Sequence, residues 1–171
     1  NGIRDFQYVP AKVTYNNVEL KAQLRIKGDR KIHYDTFEDT SFRIEIKKDN
    51  TVLGMKKFSI QRPRARNYLE EWVYLQMIRE SGLVSPRYEF AEIVFNGKNR
   101  GLFAIEEHYT KYLIENNRKS DGPIIRFKED VESSENYKLS IVEAYNPKKW
   151  STPERLPILE KSINLLKSFQ K

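Results

Sequence analysis

Residues 18–27 alternate with a period of two. Leu20, Ala22, Leu24 and Ile26 fall on one side, with Lys21, Gln23, Arg25 and Lys27 on the other. That pattern predicts a half-buried strand with a basic outer face. Residues 11–15 precede it across Asn16-Asn17, a pair that tolerates positive φ, so the two segments read as a hairpin. In residues 41–48, Phe42, Ile44 and Ile46 point in while Arg43, Glu45 and Lys47 point out, and 56–61 reads as a further short strand. After Pro63 the period lengthens. Tyr68, Trp72, Leu75 and Ile78, widened by Leu69 and Val73, predict a helix over 66–81 that stops at Gly82. Residues 88–95 and 101–105 flank Asn96-Gly97 and predict a second hairpin. A helix over 109–116 and a short strand over 123–127 follow.

Beyond Lys128 the pattern weakens. Residues 129–138 are acidic and polar without a period, and 146–152 read as a loop around Pro147 and Trp150. A last amphipathic helix is predicted from 153 toward Phe169, with Leu159, Ile163, Leu166 and Phe169 on one side. The order predicts an α+β fold: an antiparallel sheet with a packed helix, plus a C-terminal helical segment. Its expected organisation is a lead-in over 1–10, a lobe over 11–128, and a linker and helix over 129–171.

Composition narrows the chemistry. The 171 residues contain no cysteine, which excludes disulfides, thiolate zinc sites and cysteine nucleophiles, and fits an oxidising compartment. No apolar run approaches the roughly 20 residues of a membrane-spanning helix. There is no secretory signal, and a start at Asn1 reads as a processed or cut end. The net charge of +7 has two readings, a solvated basic surface or a polyanionic partner. The cations recur on strands, at Arg25, Lys27, Arg43 and Lys47, and in one loop, at Arg62, Arg64 and Arg66, with no concentration in a tail.

Each candidate group carries a plain reading beside a chemical one. The strand cations form either an ordinary face laced with ion pairs or a cradle for phosphates beside the Gly28-Asp29 turn. Glu70 and Glu71 suit the start of a helix dipole; Glu71 also borders the buried stripe, from which it can reach a strand lysine. Glu106, Glu107 and His108 end a strand in charge. A metal site there lacks a second ligand at suitable spacing. His33 falls in a polar loop and is expected to be exposed. The aromatics fall on buried strand and helix positions, which argues against a nucleic-acid stacking platform.

In order along the chain, Arg25-Ile26-Lys27-Gly28-Asp29, Ser41-Phe42-Arg43-Ile44, Gly54-Met55-Lys56-Lys57-Phe58-Ser59-Ile60-Gln61, Arg66-Asn67-Tyr68-Leu69 with Glu71-Trp72, Asn96-Gly97 with Gly101, Glu106-Glu107-His108 and Gly122-Pro123-Ile124-Ile125 closely resemble the CotH kinase-like family of atypical protein kinases. The likeness covers about residues 8–130. It implies the N-lobe of a kinase-like fold, ATP bound with Mg or Mn, and phosphorylation of serine on protein partners in the full-length protein. By position, Arg25 to Asp29 would form the turn by the phosphates, and Arg43 and Lys47 the cations lining the nucleotide cleft. Glu71 would be the helix acid paired with one of them, and Glu106, Glu107 and His108 the linker behind the adenine. Lys47 or Lys57 would contact phosphate, with Lys47 favoured by its face.

The same resemblance requires a second lobe carrying the base and the metal-holding residues. Residues 129–171 hold Asp130 and Glu143 but no such motif. The expectation is therefore the N-terminal portion of a longer protein, without catalytic or metal residues of its own and inactive alone. Its last helix would be free to self-associate. A rival expectation is a non-catalytic structural or adaptor module that binds coat or surface proteins. A cell-surface, secreted or spore-coat location accords with the resemblance.

Overall fold

The fold is given by a computed structural model that describes residues 6–28, 33, 36–128 and 141–169. Asp29, Asp130 and the acidic stretch 129–138 lie outside the described residues. The chain divides into two compact units, residues 1–119 and 120–171.

The first unit is built on a six-stranded antiparallel sheet. Its strands are β1 (Val9–Tyr15), β2 (Val18–Ile26), β3 (Phe42–Ile46), β4 (Lys57–Gln61), β5 (Tyr88–Phe95) and β6 (Lys98–Glu107), in the spatial order β1-β2-β3-β4-β6-β5. Both predicted hairpins form. Asn16 and Asn17 adopt φ of 50° and 62°, and Asn96 and Gly97 adopt 50° and 76°, the left-handed pairs that match the strand twist. Pro10, which cannot donate to a ladder, sits in the edge strand β1. The alternation read from the sequence holds: Phe42, Ile44 and Ile46 are buried between less buried Arg43 and Glu45.

The apolar back face forms the main core, with Leu20, Ile46, Met55, Phe58 and Phe103 among its buried members. The sheet curls round this core strongly enough for Phe42 of β3 to stack on Phe95 of β5, ring centroids 5.2 Å apart, although β4 and β6 lie between those strands. A second, smaller cluster lies on the opposite, front face. Helix α1 (Glu70–Glu80) sets Leu75 against Tyr88 and Ala104, with Ile78 and Phe90 packed beside them.

Helix α1 starts later than its apolar spacing predicts. Pro63–Arg66 forms a 3-10 turn, and Asn67 and Tyr68 then take left-handed φ of 51° and 62°, which an α-helix cannot continue through. Tyr68, Leu69, Trp72 and Val73 consequently lie exposed and outside the stripe that the spacing assigns to them. A short helix α2 (Lys111–Asn116) follows β6.

Glu107 ends β6 on the back face and is 2% exposed. Arg87 donates to it from Nε (3.0 Å) and Nη2 (2.7 Å), and also reaches the carbonyls of Leu53 (2.6 Å) and Gly54 (3.0 Å). A Cβ on Gly54 would stand 2.6 Å from the Arg87 guanidinium, so this turn needs glycine for the close approach as well as for its φ of 72°.

In the second unit β7 (Ile125–Lys128) pairs antiparallel with β8 (Ile141–Ala144). Helix α3 (Pro147–Trp150) and helix α4 (Leu156–Ser168) follow, and α4 packs on both strands. The segment expected as a loop around Trp150 is thus partly helical, and β8 had no counterpart in the sequence pattern. Leu159 is buried, Ile163 and Leu166 are half-buried, and Phe169 is exposed.

Replacing Arg87 by Leu leaves Glu107 buried without its counter-charge. The expected cost is about 3–5 kcal/mol of unfolding free energy, measured by urea denaturation. A loss below about 1 kcal/mol would show that water or a neighbour satisfies the acid instead.

Candidate functional site

Strand register carries one line of side chains across the front face. Arg25 stands opposite Arg43, Arg43 opposite Ser59, Ser59 opposite Glu106 and Glu106 opposite Tyr88. A parallel line runs from Gln23 through Glu45 to Lys57. It reaches His108, whose amide donates to the Lys57 carbonyl at 3.0 Å. Arg25 and Arg43 are like charges placed directly opposite each other, an arrangement that costs stability unless anions lie close. Glu45 and Glu106 supply part of that countercharge.

The centre of the face is a closed triad. Lys27, just past the end of β2, donates from Nζ to Glu106 Oε2 at 2.5 Å and to Gln61 Oε1 at 3.0 Å. Gln61 in turn donates from Nε2 to the same Glu106 oxygen at 3.0 Å. The Lys27 side chain is 8% exposed and that of Glu106 21%. Burial lowers the Lys27 pKa, and Glu106 offsets part of that pull. For Glu106 burial acts against the charge, yet Lys27, with Arg66 and Arg43, outweighs it and holds the carboxyl below its ordinary value.

Burial and the surrounding cations, Arg43 and Lys57 foremost, push His108 down to about 2. Its imidazole is therefore neutral at every physiological pH and adds no charge to the face. Burial likewise raises Tyr88 to about 12 and raises Tyr109, with Glu106 and Glu71 adding to both. Glu71 therefore lies close enough to share this electrostatic field. Arg66, from the turn ahead of α1, acts on Lys27 and Glu106 as well.

Several predicted site residues converge here. Arg25, Lys27, Arg43, Glu106 and His108 share the front face, while alternation sends Glu107 to the back, where Arg87 holds it. Of the two cations expected to pair with Glu71, Arg43 and Lys47, Lys47 makes no such pair among the described residues. Lys47 instead approaches Glu45 at 3.4 Å and remains 41% exposed, and Lys57 lies 3.8 Å from Glu45. The buried lysine is Lys27 and its acid comes from β6, because the sheet curvature brings those two ends together ahead of the helix.

Gly28 adopts φ +98°, and a Cβ there would stand 2.4 Å from the His33 ring. His33 is 8% exposed and bonds Ser41 Oγ through Nδ1 at 3.1 Å, so the expectation of an exposed histidine is overturned. The bare Cα of Gly28 makes the space that the imidazole fills. Gln61, Ser59 and Tyr8 were not singled out in the sequence. Ser59 and Gln61 were legible as polar residues at alternate positions of an otherwise apolar strand. Nothing in the sequence marks Tyr8, whose ring has Arg25 at 5.5 Å and Lys57 at 5.6 Å from its centroid.

An antiparallel sheet with one apolar face, and an opposite face carrying a buried Lys–Glu–Gln triad beside Arg25, Arg43 and Lys57, defines an α+β fold with a basic sheet face. The family model described as "CotH kinase protein" matches residues 24–168, and the chain belongs to the CotH family. It is similar to the inner spore coat protein H of Bacillus subtilis (strain 168), with 26% identity over 123 residues. That match covers 71% of this chain and 33% of the relative, so the chain spans about a third of the relative's length. Among the described residues no group of three or more His, Asp or Glu is placed to hold a metal ion, and no helix is long and apolar enough to cross a membrane.

Because the folded pKa of Glu106 lies below its unfolded value, its contribution to stability is present above about pH 4.3 and fades as pH falls through the folded pKa. Glu106→Gln is expected to cost about 3 kcal/mol at pH 7, and the deficit should shrink as pH falls below about 4.3 toward the lower folded pKa. Urea unfolding of both proteins at pH 7, 5 and 3 measures it. A deficit that is equal at all three values would mean that the carboxylate charge is not the source.

Proposed function

We propose that this chain is the nucleotide-binding lobe of an atypical protein kinase of the CotH type, and that the whole protein transfers phosphate from ATP to serine hydroxyls of protein partners. The observation that carries this reading is the buried Lys27–Glu106–Gln61 triad set beside Arg25, Arg43 and Lys57. Among the described residues Arg25, Lys27, Arg43 and Lys57 share the front face with Glu45 and Glu106. Guanidinium groups on adjacent strands suit the oxygens of a polyphosphate.

In this reading Arg25, Arg43 and Lys57 bind the phosphates, and Glu106 and Gln61 fix the direction of the Lys27 ammonium. Neutral His108, with Tyr109, borders the base. Bound ATP with Mg or Mn supplies the transferable phosphoryl group and neutralises its charge. The metal-holding residues and the base are assigned to the rest of the protein, in line with a chain that spans about a third of its Bacillus relative.

A spore-coat location is proposed from that relative's name. The same name supports a second reading, a structural module that binds coat proteins. One groove fits it: Tyr68, Leu69, Val73, Tyr74 and Met77 line a shallow, largely apolar hollow of about 480 Å³ along α1.

Calorimetry on the full-length protein separates the two. ATP with Mg or Mn is expected to bind, and Lys27→Met to weaken binding tenfold or more while circular dichroism shows the fold retained. Lys47→Ala, outside the triad and 41% exposed, should leave affinity within about twofold. Arg43→Gln serves if Lys27→Met fails to fold. Absence of binding with either metal would leave the structural reading standing alone.

A further inference from the structure

The front face has a contributor from outside the stretch that matches the family. Val9 stands opposite Leu24 on the back face, so strand alternation places Tyr8 beside Arg25 on the front. From there its ring reaches across β3, with the Arg25 guanidinium 5.5 Å and the Lys57 ammonium 5.6 Å from its centroid. Both distances lie within cation–π range. The ring is thereby held between the two cations that flank Arg43 and Glu45. Its hydroxyl is buried and has no hydrogen-bond partner among the described residues. A buried hydroxyl without a partner is costly, and a phenol can donate one hydrogen bond as well as accept.

Resting on the nucleotide reading above, we propose that Tyr8 is a phosphate-binding residue of this site: its hydroxyl donates to an oxygen of the anion that Arg25 and Lys57 hold. An anion there satisfies three needs together. It adds a counter-charge beside Arg25, it gives Lys57 a second partner beyond Glu45 at 3.8 Å, and it accepts the hydrogen bond that Tyr8 lacks. Tyr8, just ahead of β1, then lines one side of the site, and polyphosphate chemistry is sufficient for this contact, in which the base plays no part.

Tyr8→Phe removes the hydroxyl and keeps the ring over its cations. Inorganic tripolyphosphate is titrated by calorimetry into the full-length wild-type and Tyr8→Phe proteins, and each protein is melted without ligand. The variant is expected to bind about ten- to a hundredfold more weakly, and its ligand-free melting temperature to stay level or rise, because an unsatisfied buried hydroxyl is gone. A hydroxyl with a purely structural role would lower the melting temperature instead. Wild-type binding with unchanged or tighter affinity in Tyr8→Phe overturns this inference alone. If the wild-type protein binds neither tripolyphosphate nor ATP, the nucleotide reading falls and takes this inference with it.

Discussion

The buried contact of Lys27 with Glu106 is the constraint on which the front face depends. An ammonium and a carboxylate removed from water each carry a desolvation cost of several kcal/mol, which their attraction offsets only when the remaining donors and acceptors are also satisfied. Here Gln61 closes the ring by accepting from Lys27 and donating to Glu106. The three residues come from the ends of β2, β4 and β6, so the triad ties β2 directly to the adjacent pair β4 and β6, which the ladder alone joins to it through β3. A hydrophobic replacement of similar volume could match its stability. Such a replacement would remove the carboxylate whose charge Arg43 and Arg66 help to hold.

That arrangement gives the face a particular electrostatic character. Cations are pinned by sheet register, the one imidazole among them is kept neutral, and the flanking tyrosines keep their protons to high pH. The surface charge therefore changes little between mildly acidic and mildly alkaline conditions. In the proposed role, such a face would hold an anion by fixed charge, with no dependence on a titration near neutrality. Helix α1 packs against the β5–β6 end of the same face.

Much of the sheet was legible because period-two alternation in residues 18–27 and 41–48 assigns every side chain to a face, and the Asn-Asn and Asn-Gly turns settle pairing. The site was legible only in part. Arg25, Lys27, Arg43, Glu106 and His108 follow from alternation, but which lysine meets which acid depends on curl, and curl is a property of the closed core. Lys47 looked favourable by its face, yet it lies past the end of β3 and turns to Glu45. The start of α1 was misplaced because left-handed Asn67 and Tyr68 interrupt an otherwise helical spacing. Buried His33 depends on the void beside Gly28, which no periodicity encodes.

Glu106 and Glu107 are neighbours in sequence with opposite allegiances, one belonging to the cations of the front and the other to Arg87 behind. Sliding β6 by a single residue would bring Glu107 among the arginines and drive Glu106 into the apolar interior, undoing both clusters in one step. The bulge between Glu92 and Val94 lies toward the hairpin end, where an inserted or deleted residue can be absorbed before it reaches this dipeptide. Length variation in this lobe is thus tolerable at the Asn96-Gly97 tip and forbidden at the far end of the same strand.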